Sequence, residues 1–173
     1  MDKEYIRIVE LNSTLRNMAK SLGACDEGMA GWNNADEQTL INRYLHFIDF
    51  AIEKDFPSCK FIKANFSREL LHKNNIYVDD VVNRRNPRQI VVINGRSTGI
   101  VMYDGFTTAD VYVRHESDIT IDCKRMSKVF VNVYDNAKVR IICNDDAQVY
   151  AYIHGDRCQV ETEGEVKVRK ESK

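Results

Sequence analysis

Three aromatic residues recur at nearly regular spacing in the second half of the chain. They are Tyr112, Phe130 and Tyr150. If the chain winds once around an axis in about twenty residues, these rings lie above one another on an outer face. The rings then either pack against the N-terminal region or a second subunit, or form an exposed platform for a sugar or a protein partner. Both interpretations use the large apolar area of aromatic side chains.

A carbohydrate-cleaving site would need charged side chains beside these rings. Asp110 and Asp118 are the acidic candidates at outward-facing positions, and Arg140 is the basic candidate. The repeat described below places Arg140 on the opposite ladder from the rings, which argues against a single site. The sequence therefore offers the aromatic column as a binding surface and predicts no catalytic residue.

A short basic cluster surrounds Pro87. It contains Arg84, Arg85 and Arg88. Arginine side chains bind the phosphate groups of nucleic acids. However, the chain has 25 basic and 26 acidic residues and a net charge of −1, so it lacks the basic balance typical of nucleic-acid-binding proteins. We predict a solvated loop at this cluster and keep nucleic-acid binding as a third hypothesis.

The cysteines and histidines lack the spacing of a metal site. The number of cysteines, five, is odd and no CxxC pair occurs, which argues against a zinc site or a disulfide framework. Cys123 and Cys143 lie one predicted coil apart and are expected to stack as small buried side chains, with His115 in the same inward-facing set. No P-loop, GxGxxG, HExxH or GxSxG motif occurs. We therefore predict no metal and no cofactor.

The N-terminal part of the chain has the apolar periodicity of short helices. A first helix is predicted to stop at Gly23, and a longer one to run from the N-cap Asp36 to Pro57. A third is predicted to start after the N-cap Ser67. We therefore predict that residues 1–75 form a helical domain.

From residue 76 to residue 173 the sequence repeats in units of about ten residues. Each unit begins with a small residue and continues with alternating aliphatic residues, as in SKVFV at Ser127 and AQVYA at Ala147. Two units are predicted to form one coil of two strands. The two resulting ladders would contain Val91, Val111, Val129 and Val149 on one side, and Ile100, Ile119, Val139 and Val160 on the other.

These patterns predict an α+β chain, with N-terminal short helices followed by a parallel β-helix-like solenoid of about four coils of about 20 residues. An antiparallel β-sandwich or jelly roll is the alternative, because strands spaced by about 8–12 residues also suit those folds. The small residue at a fixed offset favours the solenoid, since a hairpin sheet has no reason to repeat it.

The N-terminal residues are charged where a secretory signal would be apolar. No stretch reaches the ~18 apolar residues of a membrane span. Together with cysteines that show no disulfide pattern, these features predict a cytoplasmic protein without a membrane partner.

Three stretches carry a resemblance to known proteins. They are LINRYLHFIDFAIEKDFPSCKFIKANF at 40–66, IYVDD at 76–80 and VYVRHES at 111–117. The chain resembles a family of uncharacterised proteins of gut Bacteroidales and of their phages or integrated elements, over most of its length. The resemblance implies a mobile-element context, in the cytoplasm or the virion, and a solenoid-like tail. It implies no catalytic residue or cofactor.

These observations predict a non-enzymatic structural or interaction protein that presents a rigid solenoid surface to a protein partner. A carbohydrate-binding or carbohydrate-active β-helix protein is the alternative. A solenoid also has strand edges at its two ends, which must be capped or paired. We therefore predict either capping, with the N-terminal helices over one end and the charged segment 164–173 protecting the other, or self-association, with two copies meeting at that segment.

Overall fold

The computed structural model describes residues 3–30, 32, 35–87 and 89–171. Contacts divide the chain into two compact units, Met1–Leu71 and His72–Lys173. Six helices precede eleven strands among the described residues. None of the described helices combines the length and the apolar character that crossing a lipid bilayer requires.

Short helices occupy the N-terminal part of the described chain. They are α1 (Lys3–Ser21), α2 (Asp26–Met29), α3 (Glu37–His46), α4 (Ile48–Glu53), α5 (Cys59–Asn65) and α6 (Arg68–Lys73). The predicted N-caps are confirmed: the Asp36 side chain accepts a hydrogen bond from the Thr39 N–H at 2.7 Å, and Ser67 Oγ accepts one from the Leu70 N–H at 3.2 Å. The predicted long helix is wrong in one respect, because it is interrupted at Phe47, where φ is −105° and ψ is 39°. Helices α2 and α5 are not predicted from the sequence.

One apolar cluster lies within the first unit. Its buried members are Leu11, Leu15, Ala19, Leu40 and Phe56. The buried side chain of Asn12 donates hydrogen bonds to the carbonyls of Ile8 and Ala35 at 2.8 and 2.7 Å and accepts one from the Ala35 N–H at 3.1 Å. These bonds hold the segment before α3 against α1 and satisfy a polar group that would otherwise be costly to bury.

The second unit is built from parallel strands in two sheets. The strands are β1 (Ile76–Val78), β2 (Val81–Arg85), β3 (Gln89–Asn94), β4 (Thr98–Asp104), β5 (Thr108–Val113), β6 (Asp118–Lys124), β7 (Lys128–Tyr134), β8 (Lys138–Cys143), β9 (Gln148–His154), β10 (Gln159–Gly164) and β11 (Val166–Lys170). The odd-numbered strands form one sheet, sheet A, and the even-numbered strands form the other, sheet B, each in chain order.

Each coil of the unit therefore contributes one strand to each sheet. The predicted β-solenoid is confirmed, with about five coils instead of four, and the antiparallel alternative is not supported because every described strand pair is parallel. The difference in coil number arises at the start, where β1 and β2 form a short coil. The prediction of a loop at the arginine cluster is wrong for Arg84 and Arg85, which belong to β2.

The predicted ladders are correct over part of their length. Val129 is in register with Val149, and Ile119 is in register with Val139, which is itself in register with Val160. All except the half-buried Val160 are buried, as expected for alternate residues that face the interior.

Two steps of the predicted ladders are wrong. Val111 is in register with Val131, and Val129 is in register with Ala109. In sheet B, Ile119 is in register with Gly99, whereas Ile100 is in register with the outward-facing Thr120. In both cases a small residue, Ala109 or Gly99, occupies an inward strand position where the pattern expects an aliphatic residue. The predicted register is therefore shifted at these two places.

From residue 95 to residue 155, the bends between strands repeat every ten residues. The left-handed or otherwise positive-φ positions are Gly95, Gly105, His115, Arg125, Asp135, Asp145 and Gly155. Of the predicted small residues, Ser117, Ser127 and Ala137 lie at bends and are fully buried, as is Ser97, which occupies the equivalent position one coil before Ser117. The prediction is wrong for Ala109 and Gly164, which lie within β5 and β10. A positive φ in each bend reverses the chain tightly, and a small side chain beside it leaves room for the coils to stack.

Candidate functional site

The outer surface of sheet A carries six rings on the three successive strands β5, β7 and β9. We call this surface the aromatic face; its rings belong to Tyr112, Phe130, Tyr134, Tyr150, Tyr152 and His154. All six side chains are half-buried and alternate with fully buried inward residues. Parallel strands about 4.8 Å apart bring side chains on neighbouring coils within stacking distance.

Two pairs of these rings stack face to face. Phe130 and Tyr150 are in register, with ring centroids 5.2 Å apart and planes inclined by 20°. Tyr134 and His154 are in register further along the same strands, with centroids 4.2 Å apart and planes inclined by 4°. The faces of these rings therefore point along the solenoid axis, and their edges point outward.

The predicted aromatic column is only partly formed. Phe130 and Tyr150 belong to one column, whose next member towards the N-terminal coils is Asp110. Tyr112 belongs to a neighbouring column with Asn132 and Tyr152. The prediction for Tyr112 is wrong because it treats Tyr112 and Phe130 as one coil apart, whereas the residue one coil beyond Tyr112 is Asn132.

Lysine side chains lie beside the Phe130–Tyr150 stack. Lys128 Nζ is 5.4 Å from the ring centroid of Phe130 and 5.8 Å from that of Tyr150. Lys167 Nζ is 4.9 Å from the centroid of Tyr150 and 3.5 Å from its hydroxyl oxygen. Cations in these positions are attracted to the electron-rich ring faces and give this part of the face a positive charge.

His154 is held in the aromatic face as a largely neutral ring. Its Nε2 lies 3.3 Å from Asn132 Oδ1. Burial lowers the pKa of His154 below its ordinary value, against a smaller opposing effect of the Glu171 carboxylate. The neutral form therefore predominates at neutral pH, which suits close stacking on Tyr134.

The charged residues considered for carbohydrate cleavage do not meet at the rings. Asp110 precedes Phe130 in its column, and burial raises the pKa of its carboxyl group. Asp118 lies in sheet B, where it is in register with Lys138. Arg140 also lies in sheet B, as predicted, and its Nη2 is 3.2 Å from Glu163 Oε2. The structure therefore does not bring the two carboxylates and the arginine together around the rings.

The arginines near Pro87 have separate surroundings. Arg84 Nη2 donates a hydrogen bond to the His72 carbonyl at 3.0 Å. Arg85 Nη2 forms an ion pair with Asp104 Oδ2 at 3.0 Å. Arg88 lies outside the described residues. The two described arginines thus bind different groups of the protein itself.

Cys123 and Cys143 are in register on neighbouring coils, and both are buried as predicted. Burial raises the pKa of the Cys123 thiol to about 12, with a smaller contribution from Cys143, and burial also raises the pKa of Cys143. A thiol of this kind stays protonated at neutral pH and is a poor nucleophile.

The prediction that His115 faces inward is wrong. The residue lies in the bend after β5, with a φ of 60°. Its Nδ1 accepts a hydrogen bond from the Gly95 N–H at 3.0 Å, and its backbone N–H donates to Asp135 Oδ2 at 3.0 Å. These contacts link bends of successive coils and place the imidazole in a structural role.

The helical unit contains an apolar cavity of about 80 Å³. Leu15, Trp32 and Phe47 are among the residues that line it. A charged residue at its wall is Arg43, whose guanidinium lies 4.8 Å from the ring centroid of Trp32 and donates to the Gly28 carbonyl at 2.7 Å. The described lining residues include no carboxylate and no histidine, so they do not combine an acid, a base and a nucleophile.

Within the described residues, no group of three or more His, Cys, Asp or Glu side chains is placed to hold a metal ion.

Comparisons of the chain with protein-family models, with curated proteins and with solved structures found no significant match. The aromatic face is therefore the feature that indicates a function. Three of its rings, Tyr112, Phe130 and Tyr150, are identified from the sequence. Tyr134, Tyr152 and His154 are not identified. The spacing between Tyr134 and His154 equals that between Phe130 and Tyr150, and this repeat could have revealed the second pair.

Proposed function

We propose that the chain is a non-enzymatic interaction protein and that the aromatic face of its solenoid binds a protein partner. The observation that supports this proposal is the orientation of the stacked rings. Phe130 stacks on Tyr150 and Tyr134 stacks on His154, so these rings offer their edges to a partner while their faces are occupied by one another. Aromatic residues are enriched in protein interfaces because they bury large areas at a low cost in conformational entropy.

The same orientation favours a protein over a sugar. A sugar ring that stacks on an aromatic side chain needs an open ring face. Tyr150 has Phe130 against one face and the Lys167 ammonium group over its ring from the next strand. The carbohydrate-binding alternative is therefore less well supported by this surface.

The charges around the rings indicate the chemistry of the partner. Lys128 and Lys167 add positive charge to the Phe130–Tyr150 stack, and the imidazole of His154 is mainly neutral. Complementary partners steer to such a surface through opposite charge. We therefore expect a partner segment that combines aromatic or aliphatic residues with aspartate or glutamate. The mobile-element context and the cytoplasmic or virion location belong to this proposal as well.

Selection from a random peptide library tests the proposal. We expect the full chain to select peptides rich in acidic and aromatic residues, and Phe130→Ala and Tyr150→Ala each to weaken their binding by about tenfold or more. Isothermal titration calorimetry measures the affinities. Ile142→Ala, on the outer surface of sheet B, is the matched control and leaves the affinity unchanged.

Two results would contradict the proposal. The first is a set of selected peptides that bind both ring variants as tightly as the unchanged chain. The second is a glycan array that yields a ligand whose binding is lost in Phe130→Ala and Tyr150→Ala, since that result supports the carbohydrate alternative.

A further inference from the structure

The two strands at the C-terminal end of the solenoid carry opposite charges. β10 and the turn after it contain Glu161, Glu163 and Glu165, and β11 contains Lys167, Arg169 and Lys170. Within the described residues, β10 has a strand neighbour on one side only, β8, and β11 likewise has only β9. The outer edge of each strand therefore presents backbone N–H and C=O groups that suit pairing with another strand.

The apolar interior is also open at this end. Val168 is in register with the fully buried Ala151 and so faces the interior, but it is 47% exposed. Val160 and Val166 face the interior from the same two strands and are only half-buried. In a central coil the corresponding Val131 is completely buried. One further rung of strands would remove this apolar surface from water.

We propose that a second copy of this chain supplies that rung. Successive strands along the chain alternate between the two sheets and are joined by bends. Because the chain reverses at each bend, the strands of sheet A run in the opposite direction to those of sheet B. A two-fold axis parallel to the strands therefore places β11 of one copy antiparallel to β10 of the other, and the same contact forms twice. In the matching register, Lys167 lies opposite Glu163 of the second copy and Arg169 lies opposite Glu161 of the second copy.

The strand count of the two sheets fits this arrangement. Sheet A contains six described strands and sheet B contains five. The β11 strand of the second copy takes the position of a sixth strand in sheet B of the first copy. In the same way, β11 of the first copy becomes the sixth strand in sheet B of the second copy. Val168 then lies opposite Thr162 of the second copy, and the interiors of the two solenoids meet.

The charges exclude the other simple two-fold arrangement. An axis perpendicular to the strands would pair β11 with β11 and β10 with β10. Lysine and arginine would then face lysine and arginine, and glutamate would face glutamate, which destabilises neighbouring strands. Only the contact between β10 and β11 brings opposite charges together on both sides of the interface.

Charge reversal tests this geometry by sedimentation over a range of concentrations. We expect the unchanged chain to form a dimer, and Lys167→Glu with Arg169→Glu to weaken it by about tenfold or more, because both contacts become acidic. Glu161→Lys with Glu163→Lys has the same effect. The chain with all four substitutions pairs acidic β11 with basic β10 and regains the dimer. Lys124→Glu with Lys138→Glu, on strands that are not at this end, is the control and leaves the dimer intact.

Circular dichroism verifies that each variant retains its strands, so that a loss of dimer reports on the interface. The proposal is overturned if the unchanged chain stays monomeric up to about 1 mM. It is also overturned if the fourfold variant fails to regain the dimer, since rescue is specific to pairing between β10 and β11. The readout is the oligomeric state, so the result is independent of whether the aromatic face binds a partner.

Discussion

Two glycines with nearly the same backbone conformation differ in what a side chain would meet. Gly99 has a φ of 136° and Gly155 has a φ of 140°. A Cβ on Gly99 would lie 2.0 Å from the carbonyl oxygen of Val82, whereas a Cβ on Gly155 would meet no atom within 4 Å. Gly99 therefore allows two strands of sheet B to approach each other, and Gly155 serves only the backbone conformation of a bend.

This difference gives a prediction for single residues. Gly99→Ala and Gly155→Ala share the cost of an alanine at positive φ, about 1–3 kcal/mol. Gly99→Ala adds the cost of displacing a strand backbone, so we expect its free energy of unfolding to fall by about 2 kcal/mol more. Urea unfolding followed by circular dichroism measures both variants. Equal losses of stability would show that the close approach of Gly99 to Val82 does not contribute.

Small residues inside strands also explain why the register between neighbouring strands is predicted wrongly at two places. The bend residues Thr107 and Ser127 are equivalent, and each is followed two residues later by an inward strand residue, Ala109 or Val129. Because alanine resembles the small residue that begins a unit, the sequence pattern takes Ala109 as the start of its unit. The residue that corresponds to Ser127 is Thr107, two residues earlier. Gly99 has the same effect, because Ile100 next to it looks like the inward residue. Hydrophobic periodicity thus predicts the fold and the Phe130–Tyr150 stack, but it cannot place Tyr112.

The bends from residue 95 to residue 155 each need a residue with positive φ, and in some bends that residue is not a glycine or an asparagine. Arg125 adopts a φ of 55°, where glycine and asparagine are favoured. Its Nε is 3.0 Å from Asp104 Oδ1, but the arginine side chain is largely exposed, so this ion pair contributes little. We expect Arg125→Gly to raise the free energy of unfolding by about 0.5 kcal/mol, because relief of the strain exceeds the entropy that glycine adds to the unfolded chain.

The neighbouring Met126 is the matched control for this bend. It is 54% exposed and has an ordinary negative φ. Met126→Gly gains nothing in the folded state, so we expect it to lower stability by about 0.5–1 kcal/mol. Denaturant midpoints that move in the same direction for the two variants would show that strain at position 125 is not significant.

The ring stack couples two strands of sheet A. A double-mutant cycle of Phe130→Ala and Tyr150→Ala should give a favourable coupling of about 0.5–1.5 kcal/mol, because their centroids are 5.2 Å apart. Tyr112 and Tyr150 lie on strands separated by β7 and in different columns, so the same cycle for this pair should give a value near zero. A coupling between Tyr112 and Tyr150 as large as that of the stacked pair would argue against the observed register.

Across the whole molecule, the solenoid is held together by contacts between neighbouring coils. Contacts in each sheet run only from one described strand to the next, so stability is approximately a sum of coil terms and of terms between neighbours. A coil in the middle has two neighbours, whereas β11 has one strand neighbour among the described residues. The same substitution should therefore have different consequences at the centre and at the end.

Val131 and Val168 allow this comparison with one substitution. Both face the interior of sheet A, but Val131 is fully buried between Val111 and Ala151, whereas Val168 is 47% exposed. At concentrations low enough for a monomer, we expect Val131→Ala to cost about 2–3 kcal/mol and Val168→Ala less than about 0.5 kcal/mol. Amide hydrogen exchange should show the same difference between centre and end, with the slowest exchange in β5 to β8 and fast exchange in β11. Equal costs for the two valines, together with uniform protection of all strands, would mean that the solenoid unfolds as a single unit in which the end coil is as stable as the centre.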